Sequence, residues 1–271
     1  MPDTWRLLIT PAAQGAWNMA VDEAILEHVE RGQALPTLRL YAWDPPCLSL
    51  GYAQPFAEVD RAALEREGWQ VVRRPTGGRA ILHTDELTYA VIGPASDPRL
   101  SGSVLESYRR LSQALIRALQ ELGVTVQVQE ETPPGGTPAN PVCFEVPSAY
   151  EITVSGKKLI GSAQARRREG VLQHGSLPLY GDLTRITRGL RFPNEEARQE
   201  AARRLRQRAI TLEEALGHRL EWEEAAQAFV RAFEQTFDLH FLIADLQPSE
   251  RQRAAALAAE KYAHPSWLER L

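Results

Sequence analysis

The stretch Tyr150–Leu179, YEITVSGKKLIGSAQARRREGVLQHGSLPL, reads as three strands in succession. Tyr150 to Val154 and Lys158 to Arg166 flank Ser155-Gly156, a two-residue turn of the kind that closes an antiparallel hairpin. A further strand covers Val171 to Leu179. Within this meander sit a lysine pair, a Gly161-Ser162-Ala163 run of small residues and a histidine followed by glycine, His174-Gly175. Small residues let a ligand or a second backbone approach closely. The segment therefore predicts both an antiparallel sheet and a site on it.

Upstream, short β-branched or aromatic runs predict strands at Thr37 to Trp43, Cys47 to Tyr52, Gln70 to Arg74, Leu87 to Ile92 and Val124 to Gln129. A helix is predicted from about Asn18 to Glu30. Val21, Ala24, Ile25, His28 and Val29 share a face, and Asp22 and Glu23 are expected near its positive end. A second helix, Val104 to Leu122, carries a Ser103/Glu106 capping box, a stripe from Val104 through Tyr108, Leu111, Leu115 and Leu119 to Leu122, and Gly123 as its stop. The Pro/Gly-rich stretch 132–141 can be neither helix nor central strand. Downstream the composition turns rich in Arg, Glu and Ala, with helices expected at Asn194 to Gln207, Glu221 to Phe237 and Pro248 to Tyr262. The fold class is α+β, a mixed or antiparallel sheet flanked by helices, with strands before 180 and helices after. The domain expected is 1–190, extending to about 245, with 194–271 a helical C-terminal segment packed on it.

The 271 residues carry 44% apolar and 24% charged side chains, which suits a globular core and excludes disorder as the main state. Net charge is −4, from 31 basic and 35 acidic residues, so the basic surplus of a nucleic-acid binder is missing. No apolar run reaches the roughly 18 residues of a membrane span. The segment Met1 to Pro11 lacks the features of a signal peptide, so a cytoplasmic protein is expected. Two cysteines, Cys47 and Cys143, make neither a disulfide framework nor a zinc pattern, and no metal site is expected. Lysine is scarce: Lys157, Lys158 and Lys261 stand against 28 arginines.

Four segments carry chemistry. In Arg73-Arg74-Pro-Thr76-Gly77-Gly78-Arg-Ala-Ile-Leu-His83, a strand ends in two arginines and a paired-glycine turn follows, whose N–H groups can grip an oxyanion or carbonyl. It can equally be an ordinary hairpin turn; it is not a Walker loop. In Pro141-Val-Cys143-Phe-Glu-Val-Pro-Ser-Ala-Tyr-Glu151, a thiol follows directly on the Pro/Gly loop, where a nucleophile is better placed than inside an apolar strand. Cys47, in the alternating Cys47-Leu-Ser-Leu50, is expected to be structural. In Gly156-Lys157-Lys158-Leu-Ile-Gly161-Ser162-Ala163-Gln164 the two lysines point to opposite strand faces, so one can face solvent and the other a site. In Gln173-His174-Gly175-Ser176 the histidine lies within a strand, a position more often structural than functional.

These segments in this order resemble the lipoate-protein ligase A / biotin ligase superfamily. The Arg-Arg-x-x-Gly-Gly loop, the Gly-x-Lys-x-x-Gly-Ser-Ala strand and the His-Gly-Ser-Leu strand carry the resemblance, with the Asn18-Met-Ala-Val-Asp-Glu23 helix. It covers about residues 5 to 180. Inside that superfamily, the string from Arg73 to His83 and the Pro-Val-Cys-Phe-Glu-x-Pro-Ser-x-Tyr-Glu string are similar to the LipM-type octanoyltransferases. The resemblance implies a biotin/lipoate ligase catalytic-domain fold. It implies transfer of an octanoyl group from acyl carrier protein to a lysine of a lipoyl domain, such as the glycine cleavage H protein, without a cofactor. It further implies that Cys143 carries the acyl thioester and that Lys158 lowers its pKa. Substrate would be bound by Arg74, Thr76, Gly77, Gly78, His83, Gly161, Ser162, Ala163, His174 and Gly175.

Residue chemistry agrees. A thiol has an ordinary pKa of about 8.5, and a cationic neighbour is one of the ways to activate it. Thioester exchange is nearly balanced and thioester-to-amide transfer is downhill, so no ATP is required. Ile81, Leu82 and the Val71-Val72 strand are candidates for the apolar slot of the octanoyl tail. An ATP-dependent lipoate-protein ligase shares most of these segments but has no use for Cys143. An amidotransferase moving octanoate between lipoyl domains follows its double glycine differently. A non-catalytic carrier-binding protein would not need Cys143 with Lys158, and a protease or thiol-redox signature is absent. Acyl carrier proteins are acidic, so docking on this acidic chain requires a local basic patch. Arg166-Arg167-Arg168 and the Arg203-Arg204-Arg206-Arg208 run are the candidates.

Overall fold

A computed structural model describes residues 2–129, 142 and 151–271. The stretch 132–141, Cys143 and the start of the expected strand at Tyr150 lie outside the described residues. Strands β8 (Glu151–Val154) and β9 (Lys157–Arg166) turn at Ser155 and Gly156, which have φ of 50° and 74°, and β10 (Gly170–Pro178) runs back along β9. Both turn residues sit in the left-handed region that a two-residue hairpin turn demands.

The preceding strands are β1 (Asp3–Ile9), β2 (Thr37–Tyr41), β3 (Cys47–Leu50), β4 (Gln70–Arg73), β5 (Ile81–His83), β6 (Glu86–Pro94) and β7 (Gln127–Gln129), and β11 (Leu239–Ile243) comes late. Among the described residues eight strands form one sheet in the order β11-β1-β2-β6-β10-β9-β8-β7. It is parallel across β11-β1-β2 and antiparallel from β2 to β7. A second, three-stranded sheet has the order β4-β3-β5. Two expectations are corrected here. Ile81–His83, read as part of the glycine loop, is a strand. The rule of strands before 180 fails at β11, which closes the parallel edge of the large sheet.

Helices α1 (Gly15–Glu30), α2 (Arg61–Glu67), α3 (Val104–Glu121), α4 (Glu195–Arg208), α5 (Leu212–Leu216), α6 (Trp222–Phe237), α7 (Pro248–Leu257) and α8 (Pro265–Leu268) complete the fold, with a π turn at Ala258–Tyr262 after α7. Strand alternation decides which face each covers. Leu38 and Leu40 of β2, with Leu87, Tyr89 and Val91 of β6, pack on Leu111, Leu115 and Leu119 of α3 and Phe229 and Phe233 of α6. Each of those buried rings contributes about 1.5–3 kcal/mol. The odd-and-even partners Tyr41, Ala90, Ile92 and Leu172 face the other way, onto Ala20, Val21, Ala24 and Ile25 of α1 and Leu257 at the end of α7. The Ser103–Glu106 capping box of α3 is present.

Helix α1 begins three residues before the expected Asn18 and is buried on nearly all sides. Asp22 and Glu23 lie outside its first turn, so they are not held by the helix dipole. Asp22 pairs with Arg39, and Glu23 with Arg167, Lys261 and Tyr262. The small sheet stands beside the α1 face of the large one, its own core built from Leu48, Leu50, Leu64, Ala80, Ile81 and Val142. Among the described residues no helix is long and apolar enough to cross a membrane.

Candidate active site

The gap between the two sheets is a cavity. Antiparallel register sets Gly161, Ser162 and Ala163 of β9 opposite Ser176, Gly175 and His174 of β10, so two motifs distant in sequence form one wall. A Cβ on Gly175 would lie 2.6 Å from the Gly161 carbonyl oxygen, 2.6 Å from Ser162 Oγ and 2.6 Å from the Tyr89 ring. Only glycine fits between those three. Met19 of α1, Tyr41, Trp43 and Thr88 form the floor, and Ser49, Arg74, Gly78, Ile81 and His83 the opposite wall from the small sheet.

Two buried polar clusters stiffen these walls. In the first, the Arg39 guanidinium donates to Asp22 Oδ1 at 2.6 Å, to the Asn18 carbonyl at 3.0 Å and to Asn18 Oδ1 at 2.8 Å. Tyr41 Oη donates to Asp22 Oδ2 at 3.0 Å, and His174 Nδ1 donates to the same oxygen at 3.4 Å. With that proton on Nδ1, Nε2 accepts from the Thr76 hydroxyl at 2.7 Å. Burial by itself would raise the Asp22 pKa, but the Arg39 charge and the His174 hydrogen bond outweigh it and hold the carboxyl below its usual value. Burial also pushes the His174 ring below the ordinary histidine value, against the pull of Asp22.

In the second cluster, His83 Nδ1 donates to Glu86 Oε1 at 2.6 Å and Nε2 accepts from Ser49 Oγ at 2.7 Å. Thr88 and Ser176 hydroxyls donate to the same Glu86 oxygen at 2.5 and 2.8 Å. The Trp43 ring stacks on His83 at 3.9 Å between centroids and its indole N–H donates to Thr88. Burial would raise the Glu86 pKa; the His83 ring and the Thr88 and Ser176 hydroxyls hold it below the ordinary value. The Ser49–His83–Glu86 order is that of an activated serine. However, Ser49 Oγ also accepts from Arg74 at 3.1 Å and the residue is fully buried, so the series fixes a wall and does not present a nucleophile.

Arg74 shapes the glycine loop. Its guanidinium donates to the carbonyls of Gly77 at 2.8 Å, Arg79 at 2.7 Å and Ser49 at 3.0 Å. Gly78 has φ of 89°, and its carbonyl packs so closely on Gly51 that a Cβ there would lie 1.9 Å from it. The closest backbone contact of this loop is thus with Gly51, a residue the sequence reading passed over, whereas Gly77 has open space around it.

The structure thus brings Arg74, Gly78, His83, Gly161, Ser162, Ala163, His174 and Gly175 to one cavity. Thr76 and Gly77 stand behind it as partners of His174 and Arg74. Lys158 is buried in β9, opposite Thr153 and with its carbonyl accepting from Ile210 N–H at 3.1 Å; it does not line this cavity. Cys143 lies outside the described residues, while Val142 before it is buried and pairs with Ala80, three residues from His83. Cys47 is fully buried, and burial, helped by the Glu86 charge, pushes its thiol far up. Of the proposed tail slot, Ile81 lines the cavity, Leu82 turns to a neighbouring one and Val72 packs under α1. Met19, Tyr41, Trp43 and Ser49 were missed, as were Asp22, Arg39 and Glu86. The signal was there for Arg39: a charge between Leu38 and Leu40 in a strand buried on both faces requires a buried partner. Among the described residues no cluster of three His, Cys, Asp or Glu could hold a metal ion.

Residues 14–234 match the family described as Lipoyl protein ligase A/B catalytic domain. "Octanoyltransferase LipM" of Kyrpidia tusciae is 42% identical over 269 residues, covering 97% of this chain and 98% of its own. The protein of that name in Carboxydothermus hydrogenoformans is 39% identical over 269 residues, covering 99% of each. Among solved structures, the bi-partite lipoate protein ligase of Thermoplasma acidophilum, studied with its E2 lipoyl domain, aligns with a TM-score of 0.81 at 25% identity over 99% of this chain and 96% of that one. A lipoate-protein ligase A bound with ATP aligns at 0.78 and 25% identity over 100% of both.

Proposed function

The chain belongs to the lipoyl protein ligase A/B catalytic domain family, and we propose that it is an octanoyltransferase of protein lipoylation that works through a Cys143 thioester. The observation that carries the reading is full-length identity of 39–42% to octanoyltransferases, against 25% to the ATP-bound ligase. The cavity supports it. Its polar side chains are hydrogen-bonded within the protein, while Met19, Trp43 and Ile81 offer apolar surface, which suits a hydrocarbon tail.

The donor is octanoyl-acyl carrier protein. The Cys143 thiolate attacks the donor carbonyl, the carrier's thiolate leaves and takes up a proton, and octanoyl-Cys143 results. The amine of a lipoyl-domain lysine, such as that of the glycine cleavage H protein, then attacks this thioester. An amide forms, the amine proton is lost and the Cys143 thiol returns. Lys158 supplies the positive charge that favours the thiolate. Arg74, Thr76, Gly77, Gly78, His83, Gly161, Ser162, Ala163, His174 and Gly175 form or support the acyl cavity. Neither step consumes ATP, since the donor thioester already holds the driving force.

The test is octanoyl transfer to a lipoyl domain in buffer with chelator and no nucleotide, followed by intact mass. The protein is expected to gain one hydroxylamine-labile octanoyl group and pass it on. Cys143→Ala is expected to do neither. Use of free lipoate with ATP that survives Cys143→Ser would place the chain with the ligases instead.

A further inference from the structure

A second cavity adjoins the first, sharing Ile81 with it. Its walls are mainly apolar, from Ile81, Leu82, Val142, Ile186 and Leu205, with Asp85 and Arg185, which pair with each other, and Glu86 at the polar side; Val142 is the residue before Cys143. Asp182 and Leu183 also line a surface depression that contains Lys157, Arg206 and Glu214. Together they make a trough with Lys157 and Arg206 beside Asp182 and Glu214 at its mouth and mainly apolar walls that include Val142. A phosphopantetheine arm has a phosphodiester at its base, a gem-dimethyl group and amides along its run, and the thioester at its tip.

The segment that carries Arg206 is basic. Between Leu183 and Arg208 the sequence places eight arginines against three glutamates, in a chain of net charge −4. Arg188, Arg203 and Arg206 have side chains 54%, 65% and 64% exposed. Their contacts with Glu67, Glu200 and Asp182 are surface pairs, which contribute little and exchange readily. The other basic run does not compete. Arg166 donates to Ser107 and the Leu100 carbonyl, and Arg167 is tied to Glu23 and Glu30, which leaves only Arg168 fully outward.

We propose that this trough receives the phosphopantetheine arm of the octanoyl donor, and that the exposed arginines of α4 dock the acidic face of its carrier protein. The proposal rests on the octanoyl-carrier reading above and adds the place and direction of donor entry. Lys157 and Arg206 face the phosphodiester, and the apolar walls take the gem-dimethyl segment.

Single-turnover loading separates the parts. Arg203→Glu/Arg206→Glu is expected to raise the KM for octanoyl-acyl carrier protein about tenfold, with a steeper effect at low salt. Loading from octanoyl-pantetheine, which has neither protein nor phosphate, and delivery from loaded enzyme to the lipoyl domain are expected to stay at wild-type rates. Leu183→Trp, which fills the trough, is expected to slow loading from both donors and leave the thermal midpoint in place. An unchanged KM in the double variant overturns the proposal. So does a slowed delivery step, which would assign the surface to the acceptor. If the unaltered protein never acquires the octanoyl group, the functional reading itself fails and this proposal falls with it.

Discussion

The two cysteines illustrate how position, not residue type, sets reactivity. Cys47 is sealed between β4 and α1, so close that a Cβ on Gly15 would lie 2.4 Å from its sulfur. With its thiol also pushed up by burial, it is expected to resist alkylation in the folded protein. Iodoacetamide at neutral pH should therefore add one group per folded chain, at Cys143, and two per denatured chain. Lys158→Ala should slow that labelling and move its pH dependence upward, whereas Lys157→Ala should leave it alone; equal profiles for the two would remove Lys158 from the thiol's surroundings. At this scale the sequence was informative wherever a motif is contiguous: Arg74 to His83, Gly161 to Ala163 and His174 to Gly175 were all readable, because each is a local run of small or charged residues. Asp22 with Arg39, and Ser49 with His83, were not, because each pair joins different elements 17 and 34 positions apart and exists only once α1 and the small sheet have docked.

Elements were legible when their own period or turn identified them. The Ser155-Gly156 hairpin and the capped helix α3 fall within a residue or two of expectation. Strands β1 and β11 escaped because a five- to seven-residue apolar run has no decisive period, and their parallel pairing, Asp3 opposite Leu239, bridges nearly the whole chain. Site formation depends most on the β9–β10 pair, where Gly175 allows Gly161 and Ser162 to close in. Gly175→Ala is expected to force β9 away from β10 at the cavity wall, at a cost of about 1–3 kcal/mol. Urea unfolding should show that loss, and octanoyl loading should fall further than the loss of folded protein explains. A variant as stable and as active as the original would show that the wall tolerates the shift.

For the whole molecule, the α+β class was readable from composition and turn spacing, but the cavity was not, since it belongs to neither sheet alone. The same junction should govern how the folded state responds to pH. Asp22, Glu23 and Glu86 have carboxyls held below their ordinary values by Arg39, by Lys261 with Tyr262 and by His83, each against the opposing effect of burial. A lowered folded-state pKa stabilises above the unfolded value and is lost as pH falls, so these three contributions disappear below about pH 4. His174 is also lowered, by burial, and its unfolded value is about 6.5, so its contribution begins to fade as pH falls below that point. The phenols of Tyr41 and Tyr262 are raised by burial and by the neighbouring Asp22 and Glu23 carboxylates, so their contribution is present below about pH 10 and lost above it. Maximum stability is therefore expected on a plateau from about pH 7 to 9, with a shallow decline from about 6.5 and a steep one below 4. Urea midpoints across that range test the shape. Asp22→Asn is expected to cost about 3–5 kcal/mol at neutral pH, because it leaves Arg39 buried without its carboxylate, and to flatten the acid limb. A midpoint constant from pH 7 down to 3, or an Asp22→Asn profile parallel to the original, would show that the buried Asp22–Arg39–His174 cluster does not set the acid stability of the fold.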